Sequence, residues 1–569
     1  MKKIILLMMA CVTLTAISET REITLDKAGT LAEKISATEK YSITDLKVNG
    51  PINGTDVILL RDMAGTDLDH AQTDGKLETL DLQSARIEEG GESFYSDYNT
   101  STDYYTTTDE VSDMMFCGCG ALVKVIMPSG AKAIGSKAFK DCRSLVSITL
   151  PSALEEIRSE AFAGTALTEF AFPDNVMPSE GIFDGCSALT VVTLPQNLQV
   201  IPMAAFRGTG LTAISLPSTV EKIGEEAFSG VPLTEVVTPA SLKEIDDMAF
   251  MMCGALAHVT LNDGLVSIGS SAFSSCGSLA AIHIPNSVTT IGSSAFSTCN
   301  ALAEAHLPEG LVEIPSGLFD RCGSLASVNS PASLATIGSL AFQNNTSLTQ
   351  FTFPETVTAI GQNAFKSTAL SEIVLPENLK EIGKRAFYSC EKAVKITLPK
   401  AVTAIPDNAF SYCSAVEKIE VNEGVESIGR MAFSGCSSLK KLILPASLKN
   451  LAAVAFAEDD SLLEVHCRGA VPPTCANSVF KTEEDDEVPE ACTLYVPKGA
   501  KSAYENADTW KLFTKIAEED FSGINSVTST AKKTEIRRYD LAGRQINAPK
   551  PGINVIVYTD GSVMKELVR

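Results

Sequence analysis

From Phe116 to Phe480 a phenylalanine returns every 21 to 24 residues, most often every 23, and seventeen of the 24 phenylalanines sit on that beat. A fixed period of this length marks a solenoid, in which each unit buries its apolar side on its neighbours. Such a chain grows by stacking, so 569 residues need not mean several separate cores. The repeating phenylalanines are expected to form an internal aromatic spine.

The stretch 279–301, LAAIHIPNSVTTIGSSAFSTCNA, serves as the type unit. Leu279, Ile282 and Ile284 have the spacing of a short parallel strand with its apolar side inward, and Pro285 ends it because proline cannot donate to a ladder. Val288 and Ile291 turn the chain through a second layer, and Gly292 is read as a tight corner. Ser293 or Ser294 is read as the cap of a short helical turn carrying Ala295 and Phe296. Ten of the fifteen cysteines lie three residues after a spine phenylalanine. Thr165, Thr209, Asn345 and Thr368 take the same slot, and in-register side chains about 4.8 Å apart point parallel rather than at one another. A ladder of small buried thiols is therefore expected, with Cys467, Cys475 and Cys492 outside it as the places for any disulfide.

Only the outward strand residues vary enough to carry specificity. The candidate partner-binding face, taken as the concave side, comprises His258, Thr260, His283, Glu304, His306, Asn329, Gln350 and Thr352. His283 and His306 are one unit apart, so their rings are expected about 5 Å apart; His466 is read as a fourth outward histidine beside these and His258. No carboxylate or cysteine completes a metal-ligand set with them. No nucleophile elbow, zinc helix, phosphate loop or dinucleotide fingerprint occurs in a supporting context. The expectation is no catalytic residue, no cofactor and no metal.

Flanking the array, residues 1–18 read as a secretory signal peptide, with Lys2 and Lys3 ahead of an apolar run too short to span a membrane. Cys11 only loosely suits lipoprotein cleavage. Residues 19–115 are expected to form an N-terminal cap with degenerate repeats around Ile43–Val48 and Leu77–Leu82. Within it, the aperiodic stretch from Glu88 to Asp113 carries four tyrosines and reads as a flexible loop or a binding loop. The regular array is placed at 116–481, a C-terminal cap at 482–521 with an amphipathic helix holding Trp510, and a linker and small β-rich module at 522–569. A formal net charge of −24 disfavours nucleic acid and anionic lipid as partners, and no transmembrane segment is expected.

The pattern L-x-x-I-x-I-P-x-x-V-x-x-I-G-x-x-A-F-x-x-C resembles the BspA-like family of bacterial leucine-rich-repeat surface proteins over about 116–481, and Leu494–Phe513 resembles that family's closing unit. The resemblance implies a solenoid with short parallel strands on the concave face and turns or short helices on the convex face. Tyr539-Asp540-Leu541-x-Gly543-Arg544, Gly552-Ile553 and Gly561-x-x-x-Lys565 resemble a type IX secretion sorting domain, which implies an outer-membrane or extracellular location in a Gram-negative bacterium. The family includes adhesins for host matrix proteins and for other bacteria. The function expected is thus a non-enzymatic cell-surface or secreted adhesion protein that engages a protein partner. Alternatives are a glycan-binding protein for nutrient capture, which calls for aromatics on the binding face, or a scaffold for a surface enzyme.

Overall fold

A computed structural model describes residues 20–476, 478–481, 488–521, 535–540, 544–546, 548, 552–558 and 563–568. The expected signal peptide, residues 482–487 of the acidic stretch 481–490, the linker 522–533, Leu541, Gly543 and Gly561 lie outside the described residues.

The array is a parallel β-solenoid with two strand faces. Three-residue strands such as Ala281–His283 pair in register with the next unit, Glu304–His306, through Ala281↔Glu304 and Ile282↔Ala305. The layer read as turns around Ile291 carries strands of its own: Thr290–Ile291 extends a five-stranded parallel sheet whose inward residues include Ile201, Ile223, Ile245 and Ile268. β-Branched residues at these inward positions suit a pleated, half-buried surface.

The side that carries the spine differs from the sequence reading. No helical turn forms around Phe296; residues 293–298 are turns, and Ser294 and Thr298 take left-handed φ of 58° and 61°. The same pair of left-handed residues flanks Phe273 at Ser271 and Ser275, and Phe410 at Asn408 and Tyr412. This alternation aims the main-chain amides along the solenoid axis. Ser294, Phe296 and Thr298 donate their N–H groups to the carbonyls of Ser316, Leu318 and Asp320, at 2.9, 3.1 and 2.7 Å. Glycine at 292 has a different role from a corner: a Cβ there would lie 2.2 Å from the main-chain nitrogen of Ser270 in the preceding unit. The position is kept bare for close approach of backbone.

Inside, the spine forms as expected. Phe250, Phe273 and Phe296 stack at 5.1 and 5.3 Å with rings within 7° of parallel, and all three are fully buried. Burying each ring contributes roughly 1.5–3 kcal/mol. The ladder cysteines are free and buried. From Cys142 to Cys436 each ladder thiol donates to the carbonyl of the preceding spine phenylalanine, as from Cys276 Sγ to Phe250 O and Cys299 Sγ to Phe273 O, both 3.2 Å. A small, weakly donating side chain fits this slot better than an aliphatic one of equal size. Burial pushes the thiols of Cys119, Cys253 and Cys390 up to about 12, which keeps them protonated and unreactive. Cys467, Cys475 and Cys492 are free thiols as well.

At the N-terminal end, strands Asp45–Ile52 and Thr79–Asp81 join the same parallel sheet as Lys124–Ile126 and Ser147–Thr149. The helix Gly54–Met63 starts from Asn53, whose side chain accepts from Thr55 N at 3.1 Å while Asp56 accepts from Asn53 N at 3.0 Å. Its buried Arg61 reaches into the array and donates to the carbonyls of Met114, Met115 and Cys117. The tyrosine-bearing stretch is a hairpin, Gly90–Asp97 against Thr102–Thr106, anchored by fully buried Phe94 and by Tyr95 stacked over Arg61.

At the other end, Thr493–Pro497 and Lys515–Glu519 extend the strand sheet beyond Glu464–Cys467. The helix expected through Trp510 is only Lys501–Glu505, and Trp510 opens a separate turn, fully buried and donating Nε1–H to Pro473 O at 2.9 Å. Beyond it, Glu535–Asp540, Gln545–Ile546, Gly552–Tyr558 and Val563–Val568 form an antiparallel four-stranded sheet. Tyr539 and Asp540 lie in its first strand, and Gly552 and Ile553 in its third.

Candidate binding face

The outward side of the longer strands divides by charge. At both ends it is crossed by ion pairs: Lys47 to Glu22 at 2.9 Å, Arg468 to Glu420 at 2.9 Å, and Lys441 to Glu464 at 2.7 Å. The Lys441 ammonium, followed by His466, holds the Glu464 carboxyl below its usual range. Between these ends the outward strand residues are mostly small or uncharged, including Thr149, Ala171, Thr193, Thr260, Ala281 and Ser327, with Lys395 paired to Glu372 at 3.5 Å among them.

The expected site residues fall into three groups. His258 and Thr260 lie exposed on one strand that pairs with Glu235–Val237. His283, Glu304, His306 and Asn329 come together on three neighbouring units. The two rings are 4.7 Å apart, as the spacing implied, but tilted by 52° rather than stacked. Asn329 serves the scaffold: its Oδ1 accepts from Leu307 N at 2.6 Å and its Nδ2 donates to Leu307 O at 3.0 Å, replacing a lost ladder pair. Gln350 and Thr352 stand apart from the others, outside any strand.

His466 does not belong to the exposed face. It is 7% exposed and stacked on Tyr495 at 4.5 Å, with Nδ1 2.7 Å from Glu519 and Nε2 3.0 Å from Glu464. The strand Lys515–Glu519 supplies the covering carboxylate from far along the chain, so spacing within the array gave no warning.

Around Gln350 the face opens into a cleft of about 370 Å3 lined by Thr349, Gln350, Thr352, Glu355, Ser371 and Glu372. Its floor is Phe351, one of a Phe351-x-Phe353 pair standing where the type unit has Ile282-x-Ile284. Both rings press on Phe365, at 5.3 and 5.2 Å. Eight units earlier Phe170-x-Phe172 makes the same replacement and borders a second cleft of about 330 Å3. Ser371, Glu372 and Phe351 are functional candidates that the sequence reading missed, although the doubled phenylalanines were a visible departure from the repeat.

Among the described residues no group of three or more histidine, cysteine or acidic side chains is placed to hold a metal ion. No helix among them is long and apolar enough to cross a membrane.

Among solved structures, a leucine-rich repeat protein from Bacteroides ovatus is 23% identical, covering 70% of this chain and 92% of its own, with a TM-score of 0.48. A leucine-rich cell surface protein from Faecalibacterium prausnitzii is 21% identical over 69% of this chain and 89% of its own, with a TM-score of 0.31. No curated protein matches. The family model for the BspA-type leucine-rich repeat region matches at residues 109–232, 222–349 and 336–463, well over half of the sequence. The chain belongs to the BspA-type leucine-rich-repeat family.

Proposed function

We propose that this is a non-enzymatic surface or secreted adhesion protein that engages a protein partner through the outward side of its longer strands. The observation that supports this reading most is the contrast along that face. Ion pairs close it at the ends, while the middle presents exposed histidines, Glu304 and small polar residues on a backbone fixed by the spine. A rigid, varied surface on an invariant scaffold is the arrangement that repeat proteins use for recognition. Families of this type are typically bacterial surface proteins, and the tail's resemblance to a sorting domain points to the outer membrane of a Gram-negative cell.

Surface plasmon resonance of the purified chain against immobilised matrix proteins and whole bacterial cells tests the proposal. Saturable binding to at least one is expected. The reading fails if none binds, or if purified chain shows hydrolase activity on those partners instead.

A further inference from the structure

The cleft beside Gln350 combines three features. First, the main-chain N–H and C=O groups of Gln350, Phe351, Thr352 and Phe353 make no hydrogen bond with any described residue, although neighbouring units are laddered. Gln350 and Thr352 are exposed and Phe351 is half-buried, so these main-chain groups are open to water or to a polar ligand in the cleft. Second, Phe351 and Phe353 stand where the type unit has an isoleucine pair, and both line the cleft while pressing on Phe365. Residues 213–216 also lack main-chain bonds but carry Ile214 and Leu216, so lost pairing by itself is not the distinguishing mark. Third, the lining is rich in hydroxyl and amide groups, from Thr349, Gln350, Thr352 and Ser371, above an aromatic floor.

Magnitudes select among occupants. An inserted peptide strand needs its neighbours about 9.6 Å apart, twice the ladder spacing. The spine rings under the cleft stack at 5.1 Å for Phe342–Phe365 and 5.4 Å for Phe365–Phe387, which leaves no room for one. A cationic ligand would need uncommitted carboxylates. Glu372 already pairs with Lys395 at 3.5 Å, and Glu355 accepts from Glu377 N at 3.2 Å. Anions are opposed by those same two carboxylates and by the chain's net charge of −24. A volume of about 370 Å3 lies within the range of small-ligand sites.

We propose that this cleft binds a neutral saccharide, its hydroxyls meeting the unpaired main chain, Gln350 and Thr352, and one sugar face resting on Phe351. The cleft at Phe170 is the weaker counterpart, since its outward lining is limited to Glu169, Ala171, Val191 and Thr193. This site shares Gln350 and Thr352 with the expected partner face but none of its histidines, and it stands if the protein-partner reading fails.

Isothermal titration of the full chain with maltohexaose, cellohexaose and mannohexaose tests it, with oligogalacturonate as anionic probe and hexalysine as cationic probe. At least one neutral hexasaccharide is expected to bind. The double variant Gln350→Ala/Thr352→Ala should weaken it at least tenfold, and Phe351→Ile/Phe353→Ile, which restores the aliphatic pair, should abolish the tight site. Glu304→Ala should leave it unchanged. Should the isoleucine variant fail to fold, the Gln350/Thr352 pair decides. The proposal is overturned if no neutral hexasaccharide binds, if binding ignores these variants, or if oligogalacturonate or hexalysine binds there as tightly.

Discussion

Among the described residues, one slot of the ladder that follows the spine holds an acid instead of a neutral side chain. The slot three residues after Phe456 holds Asp459, 4% exposed, and neither of its carboxyl oxygens has a hydrogen-bond partner among the described residues. Burial pushes this carboxyl well above the usual range. A carboxyl whose folded-state pKa is raised keeps its proton while the unfolded chain gives it up. Its contribution to stability is therefore most favourable below the unfolded value near 3.9 and is lost as pH rises above it. Asp459→Asn should raise the urea midpoint little at pH 4 and clearly more at pH 7, by an amount equivalent to at least about 1 kcal/mol. An equal gain at both pH values would contradict this.

At the scale of elements, the two ends are held by different chemistry. Arg61 carries the helix Gly54–Met63 onto the first array turn by donating to three carbonyls, at 3.3, 3.3 and 3.0 Å. Arg61→Ala strands those buried acceptors and should cost about 2–3 kcal/mol. Because units contact only their neighbours, the damage should stay local: hydrogen exchange should accelerate across 54–140 and remain unchanged across 290–440. Uniform acceleration would show that the array unfolds as one block.

These elements also show what could be read in advance. The spine, the inward strand residues and the thiol ladder follow from apolar periodicity, because burial repeats with the unit. The short strands at Thr290–Ile291 and the left-handed residues Ser294 and Thr298 did not, since two-residue strands and serine at positive φ leave almost no compositional trace. His466 was misplaced because its cover comes from Glu519, 53 residues away, and the hairpin at Tyr95 and Tyr104 was read as a loop because it belongs to no repeat.

Over the whole molecule, the repeated positions build a scaffold and the varying outward positions are proposed to carry recognition. The interior phenylalanines and thiols are fully buried along the array, so they reach a partner only by shaping the surface above them. The mid-array patch of His258, His283, Glu304 and His306 is where that division is most exposed to test, because Asn329 beside it is engaged by the scaffold. The most direct measurement is surface plasmon resonance of two full-length variants against the same immobilised partner. In one, His258, His283, Glu304 and His306 become alanine; in the other, Ser271, Ser275, Ser294 and Thr298, on the turn side, become glycine, the residue best suited to their positive φ. The account predicts at least a tenfold loss of affinity for the first and native affinity for the second, with both retaining the thermal midpoint of the parent. Native affinity in the first variant, or loss confined to the second, would contradict it.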